Sequence, residues 1–262
     1  ADIIARVLGA RRIVIAIEDN KRSAIYAVEQ ANAAPPGAPR LRARKAPPQA
    51  MRAEVAVLRT RYPQGAEKQL IKAVNGRIVP AGGLPRDVGC VVQNVATVCA
   101  VYDAVSLGKP LIERSVTLTG DCLKEPLNVT VRIGTVLADL IAAVGGFVRE
   151  PKKIVFGGPM MGLAQYTTAV PLVKGTGGIL FLSAARVREE TESVRIRCGR
   201  CLEVCPMGLV PMALMQRVRR GEFAAAKDLG IGNCFECGAC AYACPAKIPL
   251  VDYMKLGKAK AK

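Results

Sequence analysis

The chain of 262 residues contains no histidine and no tryptophan, and aromatic residues make up only 4% of it. The missing imidazole excludes Ser-His and Cys-His nucleophilic machinery and every His-ligated metal site. With so few aromatic rings, recognition of nucleic acid by base stacking is excluded as well, despite the basic charge. No stretch reaches the run of about 18 uninterrupted apolar residues that a membrane-spanning helix needs. The opening residues do not read as a signal peptide. The 10 cysteines are therefore expected to be reduced thiols used for metal, not a disulfide framework.

What is present is a globular composition, 51% hydrophobic and 23% charged, long enough for two or three small domains. Thirty-eight Lys and Arg stand against 21 Asp and Glu, a net charge of +17. Part of that excess coats solvated faces. The rest is suited to anionic partners: phosphorylated cofactors, acidic electron carriers or acidic headgroups. Lys255, Lys258, Lys260 and Lys262 read as a solubilising end, with contact to a membrane surface as the alternative.

Along the chain, Ile13–Ile17 reads as a buried parallel strand, and a helix follows Asn20, a suitable N-cap, to about Ala31. The Pro-rich basic stretch over 33–48 reads as a loop. Val55–Leu58 reads as a strand, and Gly65–Val74 and Asn94–Val105 as helices, an α/β pattern. After Pro110 the pattern changes. Val116 and Leu118, then Val129, Val131 and Ile133, alternate with polar residues across a turn, which predicts a β-hairpin. A helix over Val136–Val144 and a strand over Ile154–Phe156 complete what reads as a β-grasp module. From Thr191 strands give way to short helices and cysteines, with a boundary near Arg188–Val194. Three domains are expected, over 1–110, 111–190 and 191–262.

Cys234-x2-Cys237-x2-Cys240-x3-Cys244-Pro245 carries the strongest chemical signal. Three thiolates two residues apart wrap three corners of an iron–sulfur cubane. The fourth, followed by proline, commonly ligates the other cluster of a pair. Structural zinc is the rival, but it normally uses two separated Cys-x2-Cys knuckles. A second copy, Cys198-x2-Cys201-x3-Cys205-Pro206, has Arg195 where its first cysteine belongs. A guanidinium is always protonated and has no lone pair for iron. Under the crossed pattern one cluster takes Cys234, Cys237, Cys240 and Cys205, and the other takes Cys198, Cys201 and Cys244, one ligand short. Between the motifs, Leu209, Met212, Met215 and Val218 recur at helical spacing and read as core. That long helical insert predicts an all-helical two-cluster domain. Cys90, Cys99 and Cys122 stand alone and read as buried, inert thiols. Gly82-Gly83 and Gly157-Gly158 read as turn glycines.

The segments Tyr62-Pro-Gln-Gly-Ala-Glu-Lys-Gln-Leu70, Pro80-Ala-Gly-Gly-Leu-Pro85, Val92-Gln-Asn-Val95 and Phe156-Gly-Gly-Pro-Met-Met-Gly162, with both cysteine motifs, resemble a known family. It is the RnfC family, the C subunit of the Rnf ion-translocating electron-transport complex. The resemblance covers nearly the whole chain. It implies a flavin- and NADH-binding α/β domain similar to the flavoprotein subunit of respiratory complex I, present here in part. A soluble-ligand-binding β-grasp domain and a helical ferredoxin-like domain with two [4Fe-4S] clusters follow. It implies FMN as the entry cofactor, with Gly65 and Glu67 near the flavin and Asn94 and Thr97 bordering its phosphate. Asn94 reads equally well as a simple helix cap. The family's glycine-rich flavin loop, Gly-Gly-Ala-Gly-Phe-Pro, should precede residue 1 and occurs nowhere in these 262 residues, so the chain reads as an N-terminally truncated copy.

The function implied is electron transfer in a membrane-associated, ion-translocating NADH:ferredoxin-type oxidoreductase, as a peripheral subunit on the cytoplasmic side of the plasma membrane. Other subunits of the complex, NADH and ferredoxin-like carriers would be its partners. The chain alone is expected to be inactive with NADH. A cobalamin reductase of propanediol-utilising compartments is the alternative enzyme. A wiring and docking module without catalysis is the alternative from another class.

Overall fold

A computed structural model of the chain describes residues 1–33, 52–188 and 190–261. The stretch read as a loop over 33–48 lies, from 34 on, outside the described residues. The rest falls into two compact units, Ala1–Leu111 and Ile112–Lys262.

In the first unit, helix α1 (Asp2–Leu8) precedes strand β1 (Val14–Glu18), helix α2 (Arg22–Ala33) and strand β2 (Glu54–Leu58). β1 and β2 pair in parallel, with Val14 opposite Glu54 and Glu18 opposite Leu58. The Arg12 guanidinium donates two hydrogen bonds of 2.9 Å to the Glu54 carboxylate and fixes the start of that register. Helices α3 (Glu67–Asn75) and α4 (Val95–Leu107) complete the unit. The helix expected from Gly65 starts two residues later. Gly65 lies in a turn closed by bonds from Gln64 N to Arg61 O and from Ala66 N to Pro63 O. The strand read at Ile13–Ile17 exists and is parallel, but it is only half-buried. Among the described residues its sheet has two strands, too few to enclose it on both faces. Ala5, Ile71 and Val79 are the buried apolar residues among those described in this unit, while α4 buries none.

The second unit begins with a five-stranded sheet of order β4-β3-β7-β5-β6. Its strands are β3 (Glu113–Gly120), β4 (Leu127–Arg132), β5 (Lys153–Phe156), β6 (Leu163–Gln165) and β7 (Gly178–Leu182), with helix α5 (Leu137–Ala143) between β4 and β5. The expected hairpin forms, with Val116 opposite Val129. β7, absent from the sequence reading, runs parallel to β3 and antiparallel to β5, and so joins the hairpin to the rest of the sheet. Alternate residues of these strands meet α5 in one core containing Val116, Leu118, Leu137, Ile154, Ile179 and Phe181.

Helices α6 (Arg200–Glu203), α7 (Pro211–Arg219), α8 (Phe223–Asp228), α9 (Ala239–Tyr242) and α10 (Leu250–Lys260) follow. Met212, Met215 and Val218 are buried, as their spacing predicts, and Leu209 packs beside them ahead of the helix. They join Leu214, Ile231, Leu250 and Met254 in a second core. Each such side chain contributes about 2 kcal/mol by leaving water. The change of pattern at Arg188–Val194 is where strands stop, and it lies within this second unit. There Ser193 N donates to Ala246 O at 2.9 Å, and Lys247 pairs with Glu190 at 2.8 Å.

At the end of β3 the chain passes so close to β7 that a Cβ on Gly120, whose φ is 121°, would lie 1.9 Å from Phe181 O. The next residue, Asp121, accepts from the Ser183 amide and hydroxyl, which holds its carboxyl below the usual carboxylate range. Gly120→Ala should therefore destabilise the second unit by about 3 kcal/mol, the scale of combined backbone strain and overpacking. Chemical denaturation followed by circular dichroism checks this, and an unchanged midpoint would contradict the close approach.

Candidate metal centre

The two cysteine motifs fold alike. In each, a tight loop leads into a four-residue helix, α6 after Cys198 and α9 after Cys237. The helices place Cys201 and Cys240 in their first turn, where both are buried. Cys237 and Cys244 are buried too, Cys205 and Cys234 are half-buried, and Cys198 is exposed.

These thiols line two cavities of about 400 and 640 Å³, open solvent included. The first brings together Cys205, Cys234, Cys237 and Cys240. The second brings together Cys198, Cys201 and Cys244, with Arg195 on the same wall. Each Cys-Pro pair thus sits with the other motif's cysteines, Cys205-Pro206 in the first cavity and Cys244-Pro245 in the second. Helix α7 contributes to both walls, Leu214 to the first and Met212 to the second. Among the described residues, no group of three or more His, Cys, Asp or Glu could hold a metal ion directly. The thiols are arranged around cavities instead. Such an arrangement suits a cluster, which spreads its ligands over several irons.

Burial controls the thiols' acidity. It pushes Cys201 and Cys234 above the ordinary thiol value and Cys240 up to about 12, with neighbouring cysteines adding to the rise. Those neighbours are Cys205, Cys234 and Cys237 for Cys240, and Cys244 and Cys198 for Cys201. Lys258 counters the effect at Cys234. Its ammonium donates to Cys234 O at 2.9 Å and to Glu236 Oε1 at 2.6 Å. Lys258 is therefore no part of a solvated tail, as the sequence suggested. It sits on the last turns of α10 and clamps the loop of the first cavity. The Glu236 amide also lies 3.4 Å from Cys234 Sγ, a hydrogen bond to sulfur of the kind that tunes these centres. On the other side of the same loop, a Cβ on Gly238 would come within 2.8 Å of Met160 O. The Gly157–Gly162 turn therefore packs against the cysteine loop.

The remaining candidates lie elsewhere. Gly65 and Glu67 stand at the start of α3, Asn94 and Thr97 at the start of α4, and all four are exposed and outside both cavities. Asn94 is the N-cap of α4, its side-chain oxygen accepting from Ala96 N at 2.9 Å. The Thr97 and Val98 amides bond to Asn94 O. Between the two readings of Asn94, capping is what its side chain does here. Cys122 is fully buried, as expected. Cys99 is exposed and Cys90 half-buried, which corrects their reading as buried thiols. The apolar helix carrying Cys99 has half-buried residues but no fully buried one among the described residues.

Comparison with known proteins agrees with this layout. The Nuo51 FMN-binding domain family matches residues 1–103, the SLBB domain family 115–164 and the 4Fe-4S dicluster domain family 195–248. The C-terminal cysteines fit iron–sulfur clusters. The C subunit of the proton-translocating ferredoxin:NAD(+) oxidoreductase complex of Clostridium ljungdahlii is 46% identical over 86% of this chain and 46% of its own length. The C subunit of the ion-translocating oxidoreductase complex of Rhodobacter capsulatus is 42% identical over 98% of this chain and 47% of its own. The C subunit of the Na(+)-translocating ferredoxin:NAD(+) oxidoreductase complex of Acetobacterium woodii is 42% identical over 81% and 45%. The chain thus spans about half the length of these relatives. A solved NAD+-reducing [NiFe]-hydrogenase shares the fold, with a TM-score of 0.59 at 17% identity, over 100% of this chain and 51% of that one.

The raised thiol pKa fixes a pH dependence for the metal-free protein. A thiol whose folded pKa lies above its ordinary 9.0 stabilises the fold below that value and withdraws the stabilisation as pH rises towards about 12. The melting temperature of the metal-free second unit should therefore fall across that window, and Cys240→Ala should flatten the fall. Assembly of a metal centre displaces the same protons and should become easier as pH rises. Thermal melts by circular dichroism over a pH series measure both slopes. Over the stretch they share, this chain is similar throughout to the C subunits of the ion-translocating oxidoreductase complexes.

Proposed function

We propose that the chain is the electron-relaying part of a subunit of an ion-translocating ferredoxin:NAD(+) oxidoreductase complex. The observation that carries this reading is the crossed arrangement of thiols. Each cavity draws cysteines from both motifs, as two-cluster ferredoxins require. Cys205, Cys234, Cys237 and Cys240 would hold one cluster, and Cys198, Cys201 and Cys244 would serve the other. When bound, such clusters accept and release single electrons. The protein's part is to hold the ligands, exclude water and set the local charge. Leu214, Val251 and Met254 line the first cavity with apolar surface, and Lys258 supplies positive charge beside Cys234. Both features act on reduction potential.

The matched domains support three domains over 1–110, 111–190 and 191–262, the middle one a β-grasp and the last helical. In the first, Gly65, Glu67 and Thr97 would face FMN, and Asn94 would hold the start of α4 beside it. A Cβ on Gly65 would meet nothing within 4 Å of this chain. Gly65→Ala should therefore leave the fold unchanged, so any loss of flavin reports on the ligand. The partners would be other subunits of the complex, NADH and ferredoxin-like carriers, with the chain peripheral on the cytoplasmic side of the plasma membrane. No helix among the described residues is long and apolar enough to cross a membrane.

Iron and acid-labile sulfide per chain, with visible absorbance of anaerobically prepared protein, test the cluster reading. The protein should be brown. Cys205→Ser should lose about half of its iron, specifically from the cluster of the other motif. Stoichiometric zinc in a colourless protein would overturn the reading.

A second expectation concerns flavin. These 262 residues lack the Gly-Gly-Ala-Gly-Phe-Pro loop, so the flavin wall formed by Gly65, Glu67, Asn94 and Thr97 is partial and binds weakly. Neither bound FMN nor NADH oxidation is expected from the chain alone. Tight stoichiometric FMN that NADH bleaches would contradict it.

A further inference from the structure

The two cysteine loops are copies offset by 39 positions, Cys198 to Cys237, Cys201 to Cys240 and Cys205 to Cys244. The same offset carries Arg195 to Cys234. The backbone keeps the correspondence. Arg197 adopts a φ of 58° and Glu236 one of 62°, a left-handed conformation uncommon for any residue but glycine. Gly199 follows at φ 76° and ψ −10°, Gly238 at φ 84° and ψ −13°. A four-residue helix comes next in both. Left-handed strain of this kind persists only where the surroundings over-determine it. The first loop therefore keeps the path that wraps a cluster although its first ligand position holds an arginine.

The second cavity differs from the first in three linked ways. It presents three thiols where the first presents four, it is the roomier of the two, and Arg195 and Arg197 both line it. Neither guanidinium can bind iron, but both attract anions and can donate hydrogen bonds to them. A four-thiolate cubane does not fit this donor set.

We propose that the second cavity holds a site-differentiated [4Fe-4S] cluster. Cys198, Cys201 and Cys244 hold three of its irons, and the fourth faces Arg195 and takes a small anionic ligand from solution. The inference rests on the iron–sulfur reading above and goes beyond it, because it assigns this cavity an exchangeable coordination position. An iron without a protein ligand is also removable. One-electron oxidation by ferricyanide takes one electron from the [4Fe-4S]2+ cluster, Fe2+ leaves, and [3Fe-4S]+ remains. The four-thiolate cluster of the first cavity keeps its iron under the same treatment.

The test uses the anaerobically reconstituted chain and its Arg195→Cys variant, with iron, sulfide and EPR measured before and after mild ferricyanide oxidation. The unmodified chain should fall from about eight irons to about seven, with sulfide unchanged and a three-iron EPR signal of one spin per chain. Added Fe2+ under reducing conditions should restore the missing iron. Cyanide, as a small anionic probe, should alter the EPR spectrum of one of the two reduced clusters. Arg195→Cys should keep all its iron and lose the response to cyanide, while Cys205→Ser should keep the three-iron signal. If Arg195→Cys does not fold, oxidation of the unmodified chain decides alone. Two clusters that both resist iron loss and ignore cyanide would overturn the proposal and leave the iron–sulfur reading intact, as would a single four-thiolate cluster with an empty second cavity. Absence of iron from both cavities would overturn the iron–sulfur reading itself.

Discussion

The cysteine half of the molecule depends on one constraint: neither motif supplies every thiol of its own cavity. Cys205 must reach the loop of Cys234, Cys237 and Cys240, and Cys244 must reach that of Cys198 and Cys201. The two loops can satisfy this only if α6 and α9 sit against each other while the chain between them returns. The intervening helices meet that requirement. Helix α7 stands between the cavities with Leu214 towards one and Met212 towards the other, and its buried Met215 and Val218 join the core shared with α10. The same packing makes Cys201, Cys234 and Cys240 weaker acids than ordinary thiols, because desolvation is the largest cause of the rise in pKa at each. At Cys201, Cys234 and Cys240 burial favours the protonated thiol in the metal-free protein, and metal is what makes their deprotonation favourable.

The thiols were legible in the sequence because ligand spacing is a local property. Loops of two and three residues fix where a thiol can point, and the Cys-Pro ending distinguishes the ligand that crosses. Hairpin and helix were legible for a similar reason, since period-2 and period-3.6 patterns are written within a few residues. β7 was not. Its partners β3 and β5 lie far back along the chain, and Gly178–Leu182 has no alternation of its own to mark it. Lys258 was misread for the same reason. Nothing in a run of spaced lysines shows that one of them reaches back 24 positions to the carbonyl of Cys234. In the first unit the failure has another origin. An apolar helix such as α4 reads as core by composition, yet Cys99, Val95 and Leu107 on it are exposed among the described residues.

The connection between the sheet and the cysteine loops also follows from packing and not from pattern. The Gly157–Gly162 turn reads in sequence as a turn, and it is one. Its carbonyl at Met160 approaches Gly238 so closely that a methyl group there would collide with it. The αL conformation of Gly238 and the contact with Met160 thus place two demands on one residue, and glycine meets both. A shift in the sheet's turn would be felt directly by the loop between Cys237 and Cys240. The β-rich and helical parts of this unit are therefore coupled at a position that the chemistry also needs.

Charge differs between the two cavities in a way that sequence symmetry hides. At the first cavity, Glu236 occupies the left-handed position and is neutralised by Lys258, so the motif presents a closed ion pair to its cysteines. At the second, Arg197 occupies the same position and Arg195 stands where a thiolate would be, so that wall carries two cations and lacks one anion. A reduced cluster bears more negative charge than an oxidised one, and positive surroundings favour it. Were a cluster bound in each cavity, the two cations of the second wall would favour the reduced form there. Substitution of a single ligand by arginine changes coordination and potential together.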